Sequence, residues 1–225
     1  MKKGLSQEML KIIACVTMLI DHIGAVFFPV NWMRVVGRIS FPIYCFLLTE
    51  GITYTRNPGK YTLRLLVGAA LAELPFDLLF YGGITWQSQS VMLTLALGLG
   101  MVYWARKSGS MILPFAVCFF AAEFLKTNYG GWGVALIALF ALTANLSGGW
   151  LWQLGGTAVI FYAMNSYRMP MLGFRIPIQL FGLLALIPIR LYSGRKLTKN
   201  KALQTVFYLF YPVHLAVLLL IRWIL

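Results

Sequence analysis

A succession of apolar segments separated by short polar loops governs how this chain can fold. The 225 residues are 60% hydrophobic and 11% charged, with a mean hydropathy of +0.79. So few polar groups could not cover the surface of a water-soluble domain, and the chain is therefore predicted to be an integral membrane protein. Since a spanning helix needs ~20 residues, the apolar runs divide into about nine segments. Their approximate ranges are 8–28, 32–54, 61–81, 88–105, 109–126, 131–145, 148–165, 172–190 and 201–224.

No linker, low-complexity tract or composition shift divides the sequence. We therefore expect one domain over residues 1–225, folded as an all-α, polytopic bundle of about nine transmembrane helices. The first apolar run is interrupted by Asp21-His22 and is followed by no small-residue cleavage site, which predicts a retained first helix rather than a signal peptide. No persuasive internal repeat is visible, although many secondary transporters contain one.

The net charge of +13 is carried mainly by the loops that flank these segments. If nine helices alternate, the loops on one side hold Lys2, Lys3, Arg56, Lys60, Arg106, Lys107, Arg195, Lys196, Lys199 and Lys201. The opposite loops hold chiefly Lys126 and Arg168. The positive-inside rule then predicts a multi-pass protein of the bacterial cytoplasmic membrane, with a cytoplasmic N-terminus and an extracytoplasmic C-terminus. Cations spread in this way indicate the lipid bilayer as a partner, and not nucleic acid.

Two ionisable residues of the first segment, Lys11 and His22, are separated by ten residues. Eleven positions are close to three helical turns, so both side chains project from one face, ~16 Å apart. Ionisable groups within a span usually face a protein interior or a water-filled cavity, and function is the default hypothesis for them. The alternative is that Lys11 snorkels to the headgroups while His22 bonds a neighbouring helix. Asp21 adjoins His22 but points ~100° away, so any residue that orients the imidazole should come from another helix.

Other intramembrane charges are concentrated in the first three segments, which indicates a polar cavity built mainly there. Arg34 and Arg38 share one helix face, and their planar guanidinium groups could clamp an anion. For Arg34 alone, binding of lipid phosphates at the interface is the favoured role, whereas Arg38 lies deeper and is the stronger candidate for the clamp. Phe41-Pro42 should bend the second segment and free backbone groups, and Glu50 follows near its other end.

Glu73 and Asp77 lie four residues apart in the third segment, on one helix face. Two carboxylates repel each other unless cations lie close, so they need partners such as Arg34, Arg38 or Arg64. No sugar-binding aromatic cleft accompanies them. A structural ion-pair network is therefore favoured over acid–base catalysis by this pair.

The second histidine, His214, lies in the last segment, where a helix-packing role and a cavity role are both open. No metal is expected, because no His-Glu-x-x-His helix or Cys-x-x-Cys pair is present, and no phosphate-binding loop or dinucleotide fingerprint is present either. The cysteines Cys15, Cys45 and Cys118 are scattered within apolar spans. They are predicted to be packing residues.

Several strings distributed over essentially the whole chain carry a family resemblance. They are Leu10-Lys11-Ile12-Ile13, Met18-Leu19-Ile20-Asp21-His22-Ile23-Gly24, Val36-Gly37-Arg38-Ile39-Ser40-Phe41-Pro42-Ile43, Phe46-Leu47-Leu48-Thr49-Glu50-Gly51, Glu73-Leu74-Pro75-Phe76-Asp77, Gln89 ahead of Thr94-Leu95, and Phe210-Tyr211-Pro212-Val213-His214-Leu215. In combination these strings resemble the TraX family of small polytopic membrane proteins. The sequence departs from the family at Ser88-Gln89-Ser90, where many members have His or Asn.

The resemblance implies an enzyme. TraX-family proteins are associated with acetylation of conjugative pilin, and the family looks related to transmembrane acyltransferases that carry Arg or Lys, ten residues, then His in the first helix. It implies acetyl-CoA as acyl donor and an amine or hydroxyl acceptor on a pilin-like protein or a surface glycan or lipid. His22 would be the catalytic base or acyl carrier, with Lys11 and Arg38 at the donor. The residues expected to form a cavity ion-pair network are Asp21, Arg34, Glu50, Glu73, Asp77 and His214.

Two other classes of function remain open at this point. A small-solute transporter would also concentrate charges and kinked helices at mid-membrane, but it should show repeat symmetry. A non-enzymatic membrane assembly factor for conjugation or surface appendages would need no buried Lys/His pair. The oligomeric state, the acceptor and the acyl chain do not follow from the sequence.

Overall fold

The computed structural model describes residues 4–164, 166–171, 174–195 and 201–225. These residues are mostly helical, as the all-α prediction requires. The helices are α1 (Gln7–Val26), α2 (Asn31–Gly37), α3 (Ser40–Tyr54), α4 (Pro58–Tyr81), α5 (Val91–Ser108), α6 (Ile112–Phe124), α7 (Gly130–Thr143), α8 (Gly149–Ala163), α9 (Leu186–Arg190) and α10 (Lys201–Ile224). Most of the predicted segments therefore correspond to one helix, shifted by a few residues at each end.

The eighth predicted segment, 172–190, does not form one helix. Near its start lies strand β2 (Phe174–Pro177), which pairs antiparallel with β1 (Arg168–Met171), and the rest is a 3₁₀ helix (Ile178–Ala185) that runs into α9. The prediction was wrong because hydropathy does not distinguish an apolar helix from an apolar strand. Pro177 lacks the N–H that a continuous helix would use, and it ends the hairpin at the start of the 3₁₀ helix.

Among the described residues, three helical stretches are long and apolar enough to cross a membrane: Gln7–Val26, Asn31–Tyr54, which comprises α2 and α3, and Leu203–Ile224. The chain thus contains helices of membrane-span character. By contrast, α6 has 13 residues and α7 has 14, fewer than the ~20 that cross a bilayer without help. The total of nine spans stays a prediction.

Local sequence signals set the ends of the long helices. Ser6 caps α1, since its hydroxyl accepts a hydrogen bond from the Met9 amide at 3.2 Å. Asn57 caps α4 in the same way, with its side-chain oxygen 3.0 Å from the Lys60 amide. Gly82 ends α4 with φ 75°, a left-handed conformation that glycine adopts without steric cost.

The second predicted segment is interrupted between α2 and α3, at Arg38 and Ile39. The cause is Pro42, which cannot donate a hydrogen bond to the Arg38 carbonyl four residues earlier. The interruption anticipated around Phe41-Pro42 therefore falls just before them, and Pro42 lies in the first turn of α3, where proline is tolerated.

The described residues cluster into two compact units, one from Met1–Leu47 with Leu142–Lys201 and one from Leu48–Ala141 with Ala202–Leu225. In the first unit α1 packs on α2, and the 3₁₀ helix packs on α2 and α8. In the second unit α5 packs against both α4 and α6. Each unit has its own buried side chains, such as Leu10 and Phe161 in the first and Leu99 and Ile137 in the second. The expectation of one domain stays a prediction.

Candidate functional site

Helix α1 carries Lys11 and His22 on one face. Because α1 is continuous from Gln7 to Val26, eleven residues of helix rotate the chain to within ~20° of the same direction over ~16 Å. Cys15 and Met18 lie between them on this face and are 6% and 7% exposed. Lys11 and His22 are themselves half-buried. The two ends of the face thus carry ionisable groups, and its middle packs against protein.

The middle of the α1 face is held against the start of α3. The Cys15 sulfur lies 3.1 Å from the Tyr44 hydroxyl. One residue away along α1, the Ala14 carbonyl accepts a hydrogen bond of 2.9 Å from the Ser40 hydroxyl. Sequence reasoning missed Ser40 and Tyr44, although Ser40 stands within one of the strings that carry the family resemblance. These contacts fix the rotation of α1, and so fix where Lys11 and His22 point.

A buried ion pair lies at the His22 end of α1. Arg38 of the α2–α3 junction donates a hydrogen bond of 2.6 Å from Nη2 to Asp21 Oδ2. Arg34 of α2 places Nη1 2.9 Å from Asp21 Oδ1 and directs its hydrogen bond to the Asp21 main-chain oxygen at 3.1 Å. The structure therefore brings together three of the residues singled out in the sequence. Their proposed roles toward a ligand stay predictions.

Burial makes this ion pair consequential for stability. Asp21 is 7% exposed and Arg38 is 9% exposed, so each charge depends on the other for compensation. Arg38 Nε also donates to the Arg34 main-chain oxygen at 3.1 Å, which ties the two arginines together. The carboxylate of Asp21 points to α2, away from the face that carries His22.

Glycines allow α1 and α2 to approach closely beside the ion pair. A Cβ atom on Gly37 would collide with the Cβ and carboxyl atoms of Asp21, and a Cβ on Gly24 would lie 2.6 Å from the Cβ of Met33. Small residues at a helix interface permit this short approach in membrane proteins. The close packing brings the guanidinium groups within reach of Asp21.

Replacing Gly37 with alanine is expected to lower the free energy of unfolding by about 1–3 kcal/mol, the usual effect of overpacking. The added methyl group would push α2 away from Asp21. Gly155→Ala is the matched control, since a Cβ atom on Gly155 of α8 meets nothing within 4 Å and should be neutral or stabilising. The measurement is reversible unfolding in detergent. Equal stability of the two variants would contradict the close-approach argument.

Glu73 and Asp77 of α4 bind main-chain amides instead of arginines. Glu73 Oε2 accepts from the Ser90 amide at 3.1 Å, and Asp77 Oδ2 accepts from the Thr85 amide at 3.0 Å. Arg64, one of the cations expected to pair with them, has its guanidinium 5.5 Å from the centre of the Tyr208 ring. Within the described residues the two carboxylates therefore hold the loop between α4 and α5 and form no ion pair.

Further polar side chains are buried near these carboxylates in the second unit. Glu73 is joined to Ser90 as described, and Gln89 pairs with Thr127 through an isolated main-chain bridge. Four of these side chains each have a polar atom that is buried without a hydrogen-bond partner among the described residues: Gln89, Ser90, Thr94 and Thr127. The sequence offered one signal for them, the string that places Gln89 ahead of Thr94.

The remaining predicted residues are Glu50 and His214. Glu50 is half-buried near the end of α3. His214 is 6% exposed in α10, with Nδ1 2.8 Å from the Phe210 carbonyl one turn earlier. Its ring stacks on that of Phe210 at 4.9 Å and meets the edge of Tyr211 at 5.5 Å. These contacts lie within α10, and both possible roles of His214 stay predictions.

Helices of membrane-span character, with a buried ion pair between Asp21 and Arg38, indicate that this chain is a membrane protein. The comparison with known families then gives its relationship: the chain belongs to the TraX family, whose model, described as "TraX protein", matches residues 6–222. The match covers α1 to most of α10, so it confirms the resemblance read from the strings.

Two relatives extend this finding. The chain is 28% identical over 236 residues to a protein of Dichelobacter nodosus named "Probable fimbrial assembly protein FimC, serogroup H1", a match that covers 93% of this chain and 92% of the relative. It is 29% identical over 103 residues to an uncharacterized protein of Rickettsia prowazekii (strain Madrid E), covering 45% of this chain and 38% of that protein. No solved structure matches the chain.

Proposed function

We propose that this protein is a membrane acetyltransferase that uses acetyl-CoA to modify an amine or hydroxyl acceptor on a pilin-like protein or a surface glycan or lipid. The observation that carries the proposal is the single face of α1, with Lys11 and His22 three turns apart on one continuous helix. A cation can hold a phosphate, and an imidazole titrates near neutrality and can move a proton. The spacing of ~16 Å suits an extended pantetheine arm between them.

In the proposed reaction His22 acts as general base. It accepts the proton of the acceptor amine or hydroxyl while the acceptor nitrogen or oxygen attacks the thioester carbonyl carbon. A C–N or C–O bond forms, the C–S bond breaks, and the thiolate of CoA leaves. The proton then passes from His22 to that thiolate, so the products are the acetylated acceptor and free CoA. A second route, in which the imidazole itself carries the acetyl group, uses the same residue as nucleophile.

The surrounding residues position this helix. The pairing of Asp21 with Arg34 and Arg38 anchors the turn of α1 that contains His22. Arg38 is 9% exposed and already bound to Asp21, so its proposed part at the donor is electrostatic. In this proposal Lys11 faces the cytoplasm, where acetyl-CoA is available, which agrees with the topology expected from the basic loops. Of those basic residues, Lys2, Lys3, Lys196 and Lys199 lie outside the described residues.

A second candidate is a non-enzymatic assembly factor, which the name of the Dichelobacter nodosus relative favours. One experiment separates the two functions. Purified protein is incubated with radiolabelled acetyl-CoA and cell extract, and the labelled product is identified. Transfer of the label to an acceptor supports the transferase. The assembly factor is supported if no acceptor is labelled and the same protein restores fimbrial or surface assembly in a deletion strain.

Removing the charge of Lys11 is expected to raise the KM for acetyl-CoA more than it lowers kcat. Lys11 lies three turns from His22, too far to touch the thioester, and a phosphate contact that is equal in ground and transition states is uniform binding. Steady-state kinetics of Lys11→Gln and Lys11→Arg give the test. Arginine should restore much of the lost affinity, because its fork suits phosphate at least as well.

If Lys11 only snorkels to the headgroups, neither substitution changes the kinetics. An unchanged KM in folded Lys11→Gln protein would therefore remove Lys11 from the donor site.

A further inference from the structure

The first unit contains a cavity of about 760 Å³ that has no part in the reaction proposed above. It is lined by the loop before α8, the first turns of α8, the end of the 3₁₀ helix and α9. Small-molecule sites typically occupy ~300–1,000 Å³, so the volume is that of a ligand pocket. The side chains that give it character are Phe46, Thr143, Trp150, Gln153, Arg190 and Tyr192.

The wall of the cavity combines a flat aromatic surface with a cation. The Arg190 guanidinium lies 5.7 Å from the centre of the Trp150 ring, and Phe46 meets Tyr192 edge to face at 5.5 Å. Thr143 and Gln153 add polar groups, joined by a hydrogen bond of 3.1 Å. Among the described residues that line the cavity, none is acidic. The wall therefore favours an anion that also carries a planar ring.

The main chain at the start of α8 adds to this preference for an anion. Gly148, with φ 71°, precedes the helix and supplies no side-chain cap, and no acidic residue lies in the first turn. The Gly149 and Leu151 amides already donate to the Leu146 and Gly148 carbonyls, so the contribution of this helix end is its positive dipole, which no carboxylate of the first turn neutralises. This feature supports the charge preference that Arg190 already gives.

Main-chain pairing places the cavity at the Lys11 end of α1. Tyr192, which lines the cavity, forms a bridge with Leu5, just before α1 begins. The Leu5 amide donates to the Leu191 carbonyl at 2.8 Å, and the Ser193 amide donates to the Leu5 carbonyl at 2.9 Å. The cavity is therefore close to the start of α1, about one turn before Lys11 and about four turns before His22.

We infer that this cavity binds the nucleotide end of the coenzyme A thioester, with Trp150 stacking the base and Arg190 binding a phosphate. The inference rests on the proposed function and adds to it a site for the donor. A phospholipid headgroup could share the phosphate contact, but it has no planar ring for Trp150. A donor seated here places a further phosphate at Lys11 and extends its pantetheine arm from there toward His22.

The test measures binding of radiolabelled acetyl-CoA to the purified full chain in detergent, with turnover measured in parallel. The cavity variants are Trp150→Leu and Arg190→Gln. The matched controls are Trp152→Leu, a 66% exposed residue of the same helix outside the cavity, and Arg168→Gln, whose guanidinium lies 5.5 Å from the Tyr162 ring. Affinity should fall by about tenfold or more in the cavity variants and by less than about twofold in the controls.

A truncated donor sharpens the test. S-acetylpantetheine has the thioester and no nucleotide, so the wild type and both cavity variants should use it with the same KM. Arg190→Lys, which keeps the charge, should retain part of the acetyl-CoA affinity and guards against a folding defect in Arg190→Gln.

Three outcomes would overturn the inference. Normal acetyl-CoA affinity in both cavity variants, with an active wild type, removes the cavity from the donor site and leaves the transferase proposal standing. Loss of phosphatidylglycerol binding in the cavity variants, with acetyl-CoA affinity unchanged, assigns the cavity to lipid. Failure of the wild type to bind or use acetyl-CoA would defeat the proposed function itself, and the inference with it.

Discussion

Replacing His22 with alanine is expected to abolish acetyl transfer while leaving expression and helix content near wild type. His22 is the ionisable ring on the α1 face that also carries Lys11, and it is half-buried, so its removal should disturb packing little. Losing a general base costs about 10²–10⁴-fold in rate. The measurement is transfer of label from acetyl-CoA by purified variant protein, with circular dichroism to follow helix content.

His214→Ala is the comparison for this variant. His214 packs on Phe210 within α10, and its replacement should reduce activity only partially, through packing. Activity of His22→Ala within about tenfold of wild type would refute the base assignment. A larger loss in His214→Ala than in His22→Ala would show that the other histidine does the chemistry.

Replacing Asp21 with alanine is expected to lower the free energy of unfolding by about 3–5 kcal/mol. The reason is that Arg38, 9% exposed, would keep its charge in a buried place without the carboxylate that compensates it at 2.6 Å. Reversible unfolding in detergent gives the measurement. The double variant Asp21→Ala with Arg38→Met should recover part of the loss, since it removes both charges together.

Glu123→Gln provides a matched control for this prediction. Glu123 is exposed and accepts one hydrogen bond of 2.7 Å from the Gly131 amide, so its neutralisation should cost no more than about 1 kcal/mol. Comparable losses in Asp21→Ala and Glu123→Gln would mean that burial of the Asp21 pair contributes little.

The sequence predicted the helices better than their interruptions. Long apolar runs placed α1, α4 and α10 within a few residues, because composition averaged over ~20 positions is a strong signal. The run at 172–190 failed, since a hairpin and a 3₁₀ helix can be as apolar as a spanning helix. Whether the chain forms a strand there depends on partners that periodicity does not reveal.

The arrangement of the candidate site was predictable for residues that lie on the same helix. The spacing of Lys11 and His22 fixed their common face, because a helix has one period. The partner of Asp21 was not predictable, since it depends on how closely α2 approaches α1 at Gly37. Glu73 was expected to need a cation, but it accepts a hydrogen bond from a main-chain amide instead. Every residue except proline carries such a donor, so no sequence motif indicates which amide will be used.

The interruption between α2 and α3 has a consequence for how the chain enters a bilayer. Helix α2 has only 7 residues, too few to be stable alone; it carries Arg34, and the residue that follows it is Arg38, the second arginine that binds Asp21. Asp21 is in turn costly in hydrocarbon until those arginines arrive. Only residues 27–30 separate α1 from α2, so the two segments are synthesised almost together. The ion pair that compensates Asp21 is therefore formed between neighbouring parts of the chain, and we expect α1 and α2 to enter the bilayer together.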